Sequence, residues 1–186
     1  MDVNSILNKY LEIFPNETER QSQFLDYLKE NKDEARTDWN NFNGHIVSSG
    51  FVYAKQENKF LVLFHNDLKR YLYPGGHVDA NELVLDACIR EIKEETGLTN
   101  LNQVTINEDN YIPIDIDTHL IGFNERLNLP QHYHFDFRYL FTIDSIENVK
   151  IDTSESSDYK WIDINELKSL SFGIVTEKIA NVLNII

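Results

Sequence analysis

Three glutamates, Glu91, Glu94 and Glu95, stand at i, i+3 and i+4 within the stretch from Gly76 to Leu98, GHVDANELVLDACIREIKEETGL. On a helix this spacing projects all three carboxylates from one face. Like charges so placed repel, and near a helix C-terminus the macrodipole opposes them as well. A cation bound among them removes both costs. Mg²⁺, or Mn²⁺, suits such a site, since hard divalent ions take carboxylate oxygen and retain several waters. Arg90 is placed to brace one glutamate through a bidentate pair. Gly76, ahead of the loop, lets backbone approach an ion or phosphate closely.

A second constellation is His132-Tyr-His-Phe-Asp-Phe-Arg138. On a strand, His132, His134, Asp136 and Arg138 share one face and the aromatic residues between them the other. Two imidazoles and an acid suggest zinc, but a flat i, i+2, i+4 row does not by itself close a tetrahedral site. The row reads instead as a polar strip facing a cleft and contacting substrate phosphate or leaving group. His77 follows Gly76 and is a further substrate contact. Lys69 and Arg70 are placed to attract an anion, while Trp39, Tyr111 and Phe123 are candidates for stacking on a base or for core and rim packing.

These side chains need elements to carry them. Asp79 and Glu82 fit a capping box, which predicts a helix starting near Ala80 and ending at Gly97 in the C′ position. Leu85, Cys88, Ile89 and Ile92 form its expected buried stripe. Strand-like runs cover 45–55, 60–65, 71–73, 103–108, 112–121, 133–143 and 159–162, and two short helices follow, one after Asp163 and one from about Val175. The first forty residues differ. Val3, Ile6, Leu7, Tyr10 and Leu11, then Phe24, Leu25 and Leu28, fall at helical spacing around a break at Phe14-Pro15-Asn16, predicting a helical hairpin. The division expected is residues 1–43 as an N-terminal helical extension and 44–186 as the main domain, of α/β class with a mixed sheet.

Gly76, five residues, Glu82, seven residues, then Arg90-Glu91-Ile92-Lys93-Glu94-Glu95-Thr96-Gly97-Leu98 resembles the Nudix box at every defined position. Seven fixed residues at ~7% each match by chance with odds of about one in 10⁸ per start site. The Pro-Gly-Gly-His lead-in and the His-x-His-x-Asp strand are similar to a bacterial group within that family. The resemblance implies an α/β/α sandwich and a pyrophosphohydrolase. Such an enzyme cleaves the diphosphate linkage of a nucleoside diphosphate derivative (a nucleoside triphosphate, nucleotide sugar or dinucleotide) by water attack at phosphorus with Mg²⁺ or Mn²⁺. It implies Glu91, Glu94, Glu95 and the Gly76 carbonyl as metal ligands, Arg90 as the residue orienting a glutamate, and Glu82 as the link from loop to helix. Glu155, six residues before Trp161, stands where the family often places a further catalytic glutamate. The alternative is a non-catalytic nucleotide-sensing module. Such a module would usually have lost an acid from the box, and none is lost.

Composition narrows the partners. Of 186 residues, 17 are Lys or Arg and 31 are Asp or Glu, a formal net charge of −14. So acidic a surface is expected to repel nucleic-acid polymers and anionic bilayers, leaving a small-molecule substrate and a possible homodimer. The one cysteine, Cys88, offers no intrachain disulfide. The longest tight apolar run, from Phe60 to Phe64, falls far short of the ~20 residues that cross a bilayer. The N-terminus opens acidic rather than basic, so a cytoplasmic location is expected.

Overall fold

The computed structural model describes residues 2–123, 128–170 and 172–185. Two long strands form its centre. Strand β1 (His45–Ala54) and strand β7 (His132–Ile143) pair in parallel from His45↔His134 to Ala54↔Ile143. All of β1 is buried, as expected of a parallel strand covered on both faces. On one side of β1 lie β2 (Lys59–His65) and β4 (Gly75–His77), both antiparallel to it. Strands β3 (Arg70–Leu72) and β8 (Ser156–Ile162) pair with β2. On the far side of β7 lie β5 (Asn102–Gln103) and β6 (Asp115–Ile121), also antiparallel. The sheet is therefore mixed, with eight strands among the described residues.

Helix α4 (Val84–Thr96) covers one face. Ser48 Oγ, pointing to that face, donates to the Val84 carbonyl at 2.6 Å. Leu85, Cys88 and Ile92 are buried as their spacing predicts, but Ile89 is 39% exposed and Ala87 takes its place in the core. The helix also starts later than Ala80. Asn81 takes a left-handed φ of 66°, which breaks helical geometry, and Leu83 becomes the N-cap. The Asp79–Glu82 contact does form, at 3.0 Å from Asp79 N to Glu82 Oε2, but it closes the loop rather than the helix. Gly97 ends the helix with φ 72° and its N–H on the Lys93 carbonyl.

Helices α5 (Ile164–Ser169) and α6 (Val175–Leu183) close the chain. Asp163 caps α5 through the Asn165 and Glu166 amides. At the N-terminus α1 (Val3–Ile13) and α2 (Ser22–Glu30) form the expected helical pair, and α3 (Asp33–Arg36) is a short addition the periodicity did not reveal. Phe24 of α2 stacks on Phe135 at 4.6 Å and meets Phe137 edge-on at 5.7 Å. Two other differences from the sequence pattern stand out. Gly75–His77 pairs as strand β4, beyond the run expected over 71–73, and the strand expected over 103–108 shrinks to Asn102–Gln103.

A buried ion cluster joins the N-terminal helices to the sheet and to α6. Asp115, fully buried, accepts from Arg20 at 2.5 Å and from Lys178 at 2.8 Å. Glu17 pairs with both cations, and the Tyr10 hydroxyl donates to Glu17. Opposite charges brought together this way tolerate burial, whereas removing one partner strands the others. Asp115→Ala is therefore expected to lower stability by about 3–5 kcal/mol, seen as a lower urea midpoint at unchanged slope. A loss under ~1 kcal/mol would show the cluster to be peripheral.

Candidate active site

The carboxylates of α4 converge on the backbone of β4. Gly75 pairs with Ser49 and Gly76 with Ser48, so the two glycines lie against the centre of the sheet. A Cβ on Gly75 would fall 2.3 Å from the Ser49 Cβ and 2.6 Å from its Cα. A Cβ on Gly76 would sit 2.5 Å from Glu91 Oε1 and 2.7 Å from Glu91 Oε2. Only glycine leaves the Glu91 carboxylate where it is. The Gly75 N–H points to Glu95 Oε1 at 3.4 Å.

Burial sets the electrostatics of this site. Glu95 is only 8% exposed, and its pKa is pushed up to about 9, first by desolvation and next by the charge of Glu155; the Gly75 N–H opposes the shift. Glu91 is also raised, by burial first, against the pull of Arg90 and with added repulsion from Glu155 and Glu94. Glu155 is raised by burial and by Asp152 and Glu94. Several carboxyls gathered in one place thus resist ionisation, which a nearby positive charge would reverse. Glu94 differs, with its side chain 56% exposed.

Arg90 organises the cluster. Its guanidinium forms a fork on Glu82, from Nε to Oε1 and from Nη2 to Oε2, both at 2.9 Å. Nη1 donates to Glu91 at 2.8 Å and Glu94 at 3.1 Å, and Nη2 also donates to the His77 carbonyl at 2.8 Å. One side chain thus ties loop, β4 and helix together. The Glu155 loop is fastened to the C-terminal end of α4. Lys150 N donates to the Thr96 carbonyl at 2.9 Å and Asp152 N to the Glu95 carbonyl at 3.2 Å. The segment ahead of β8 thereby brings Glu155 to the helix glutamates.

The strip on β7 does not join them. Strand alternation turns His134, Asp136 and Arg138 to the face opposite α4, together with His45, Ser49, Asp115, Asp117 and His119. Arg138, read from sequence as a substrate contact in a cleft, is buried and fully engaged. Nε donates to Asp136 at 3.0 Å, Nη2 to Asp117 at 2.7 Å and Nη1 to Asp115 at 3.4 Å and the Phe172 carbonyl at 3.3 Å, while the guanidinium lies over the Tyr73 ring at 5.2 Å. Its donors are spent on the protein itself.

His77, His132 and His134 assemble around His45, which sequence reasoning did not single out. His77 Nε2 lies 3.0 Å from His45 Nε2, and His132 Nε2 lies 3.2 Å from His134 Nε2. Desolvation, then neighbouring imidazoles, hold His45 and His77 down at about 4, and His134 is lowered further for the same causes. Trp39 stacks on His77 at 4.2 Å. Tyr111 and Phe123 are 37% and 57% exposed, and no contact among the described residues joins them to the carboxylates. Arg70 is exposed at the start of β3, and Lys69 precedes it with φ 52°.

Comparison with known proteins agrees with this architecture. The family model of the NUDIX domain matches residues 44–180. A probable DHNTP pyrophosphohydrolase of Lactococcus lactis subsp. cremoris is 33% identical over 105 residues, which are 56% of this chain and 59% of that protein. The chain thus spans under two thirds of that relative's length. An RNA pyrophosphohydrolase of Pelagibacter ubique is 27% identical over 146 residues, covering 73% of this chain and 91% of that one. Among solved structures, a NUDIX-family hydrolase from Clostridium perfringens superposes with a TM-score of 0.55 at 31% identity, over 72% of this chain and 95% of that one. With a box helix whose carboxylates meet a Gly-Gly strand, and a family match over most of its length, the chain belongs to the Nudix hydrolase family.

Proposed function

We propose that the protein is a divalent-metal-dependent pyrophosphohydrolase acting on a small nucleoside diphosphate derivative. The convergence of the partly buried Glu91 and buried Glu95 carboxylates on the backbone of Gly75 and Gly76 carries this reading. The donor set fits a hard cation. It is all oxygen, no cation among the described residues pairs with Glu95, and Gly76 leaves room for the Glu91 carboxylate beside the β4 backbone. Glu91, Glu95 and the Gly76 carbonyl would hold the ion, with Glu94 at the exposed rim. A bound Mg²⁺ or Mn²⁺ would neutralise charge on the phosphoryl oxygens and make an attacking water more acidic.

The remaining roles fall to the chain itself. Arg90 holds Glu91 and Glu94 in place while its fork on Glu82 keeps the loop closed over the helix. Glu155, raised by burial and by neighbouring acids, is the residue we assign to take the proton of the attacking water, since a more basic carboxylate is the better acceptor. The relatives' names point to DHNTP for one and RNA for another. A net charge of −14 favours a small anion neutralised by the metal over a polyanion that needs basic surface.

A panel of diphosphate compounds incubated with Mg²⁺ tests this reading: scission between phosphorus atoms of at least one nucleotide derivative is expected, and no hydrolysis of any member with either Mg²⁺ or Mn²⁺ would overturn it. Glu95→Gln should lower kcat/KM on the order of 10³-fold, about 4 kcal/mol of transition-state stabilisation. Wild-type turnover in that variant would remove Glu95 from the site. The same variant has a stability signature without metal. The folded-state pKa of Glu95, about 9, lies above the ordinary 4.5, so the carboxyl costs nothing below pH 4.5 and an increasing amount as pH rises towards 9. Chelator-treated Glu95→Gln and wild type should therefore unfold alike near pH 4.5, with the variant more stable by roughly 4–5 kcal/mol at pH 8. A pH-independent difference would contradict the burial of that charge.

A further inference from the structure

The face of the sheet opposite α4 carries a group of side chains that diphosphate cleavage leaves unused. We propose that His45, His77 and His134 form a second metal centre, distinct from the box carboxylates, that takes a borderline divalent ion of the Zn²⁺ class through imidazole nitrogen, with His132 beside them as a fourth imidazole.

Three strands bring the ligands together. The parallel register sets His45 of β1 against His134 of β7, and the antiparallel register of β4 sets His77 one pair beyond, against Val47. One ligand nitrogen from each of His45, His77 and His134 lies within 4.8 Å of the others. The row on β7, too flat alone to enclose an ion, gains the out-of-row members it needs from β1 and β4. A tetrahedral zinc site with Zn–N bonds of 2.0–2.1 Å has its ligand nitrogens about 3.3 Å apart. The His45–His77 pair stands at 3.0 Å and the His132–His134 pair at 3.2 Å.

The chemistry of the nitrogens points the same way. His132 Nδ1 lies 2.8 Å from the Pro130 carbonyl, so that nitrogen carries the proton and Nε2 presents a lone pair to the cluster. A carbonyl on the outer nitrogen is the usual partner of a metal-binding imidazole. A nitrogen-only set selects against Mg²⁺ and for Zn²⁺, Ni²⁺ or Co²⁺. Trp39, 57% exposed, stacks on His77 at the rim and reports on the site.

The test uses the full chain, treated with chelator and titrated with Co²⁺ and then Zn²⁺ in excess Mg²⁺, which keeps the carboxylate site filled. One equivalent should bind, giving the intense visible absorption of tetrahedral Co²⁺, quenching Trp39 and yielding to Zn²⁺. His45→Gln and His77→Gln should each weaken binding at least 100-fold, since loss of even an outer-shell partner costs 10–100-fold, whereas Glu95→Gln should leave it unchanged. If His45→Gln does not fold, His77→Gln, at the half-buried rim, decides. No uptake, uptake unaffected by His77→Gln, or a weak octahedral spectrum lost in Glu95→Gln would each overturn the proposal.

Discussion

The structure turns on carboxylates kept out of water beside other carboxylates. Glu95 accepts one long hydrogen bond, from the Gly75 N–H, and faces the charges of Glu155 and Glu91. Nothing in that arrangement favours folding, because burial and like charge both resist ionisation. The surrounding architecture restrains it. Arg90 engages Glu82, Glu91 and Glu94 together, the Glu155 loop is bonded to the end of α4, and β4 is reduced to glycine where a methyl group would displace Glu91 or collide with Ser49. Strain of this kind persists where a ligand relieves it.

Strand β4 has two faces with different chemistry. Gly76 turns towards Glu91, whereas His77, the next residue, turns towards His45 and the opposite face. One face offers oxygen and the other nitrogen, and hard and borderline cations prefer them in that order. The central β1–β7 pair separates the two. Its polar outer face ends at one side in the imidazoles and at the other in Arg138, which is bound by Asp115, Asp117 and Asp136. Asp115 also accepts from Arg20 and Lys178, so the N-terminal helices and α6 meet the same ion network.

Much of the carboxylate site was legible from sequence because it is local. Glu82, Arg90, Glu91, Glu94, Glu95 and Gly97 lie in one loop and one helix, where 3.6-residue periodicity alone predicts which side chains share a face. Helix α4, both N-terminal helices and the long strands were legible for the same reason. What was missed depends on contacts distant in the chain. His45 looked like an ordinary strand residue until the parallel register placed it against His134, 89 positions later. Arg138 had the spacing of a cleft residue, but β6 supplied Asp115 and Asp117 on the same face and enclosed it. Gly75–His77 fell outside the expected strands because glycine and proline disfavour them, yet close approach to Ser48 and Ser49 is what glycine permits there.

The most direct measurement of the central claim is proton release on Mg²⁺ binding, obtained by calorimetry at pH 7.5 in buffers of differing ionisation enthalpy. A carboxyl held near pKa 9 must lose its proton to ligate, so binding should release close to one proton per ion in the wild type and far less in a chain lacking the Glu95 carboxyl. Mg²⁺ binding with no proton release, or no binding at all, would contradict the account.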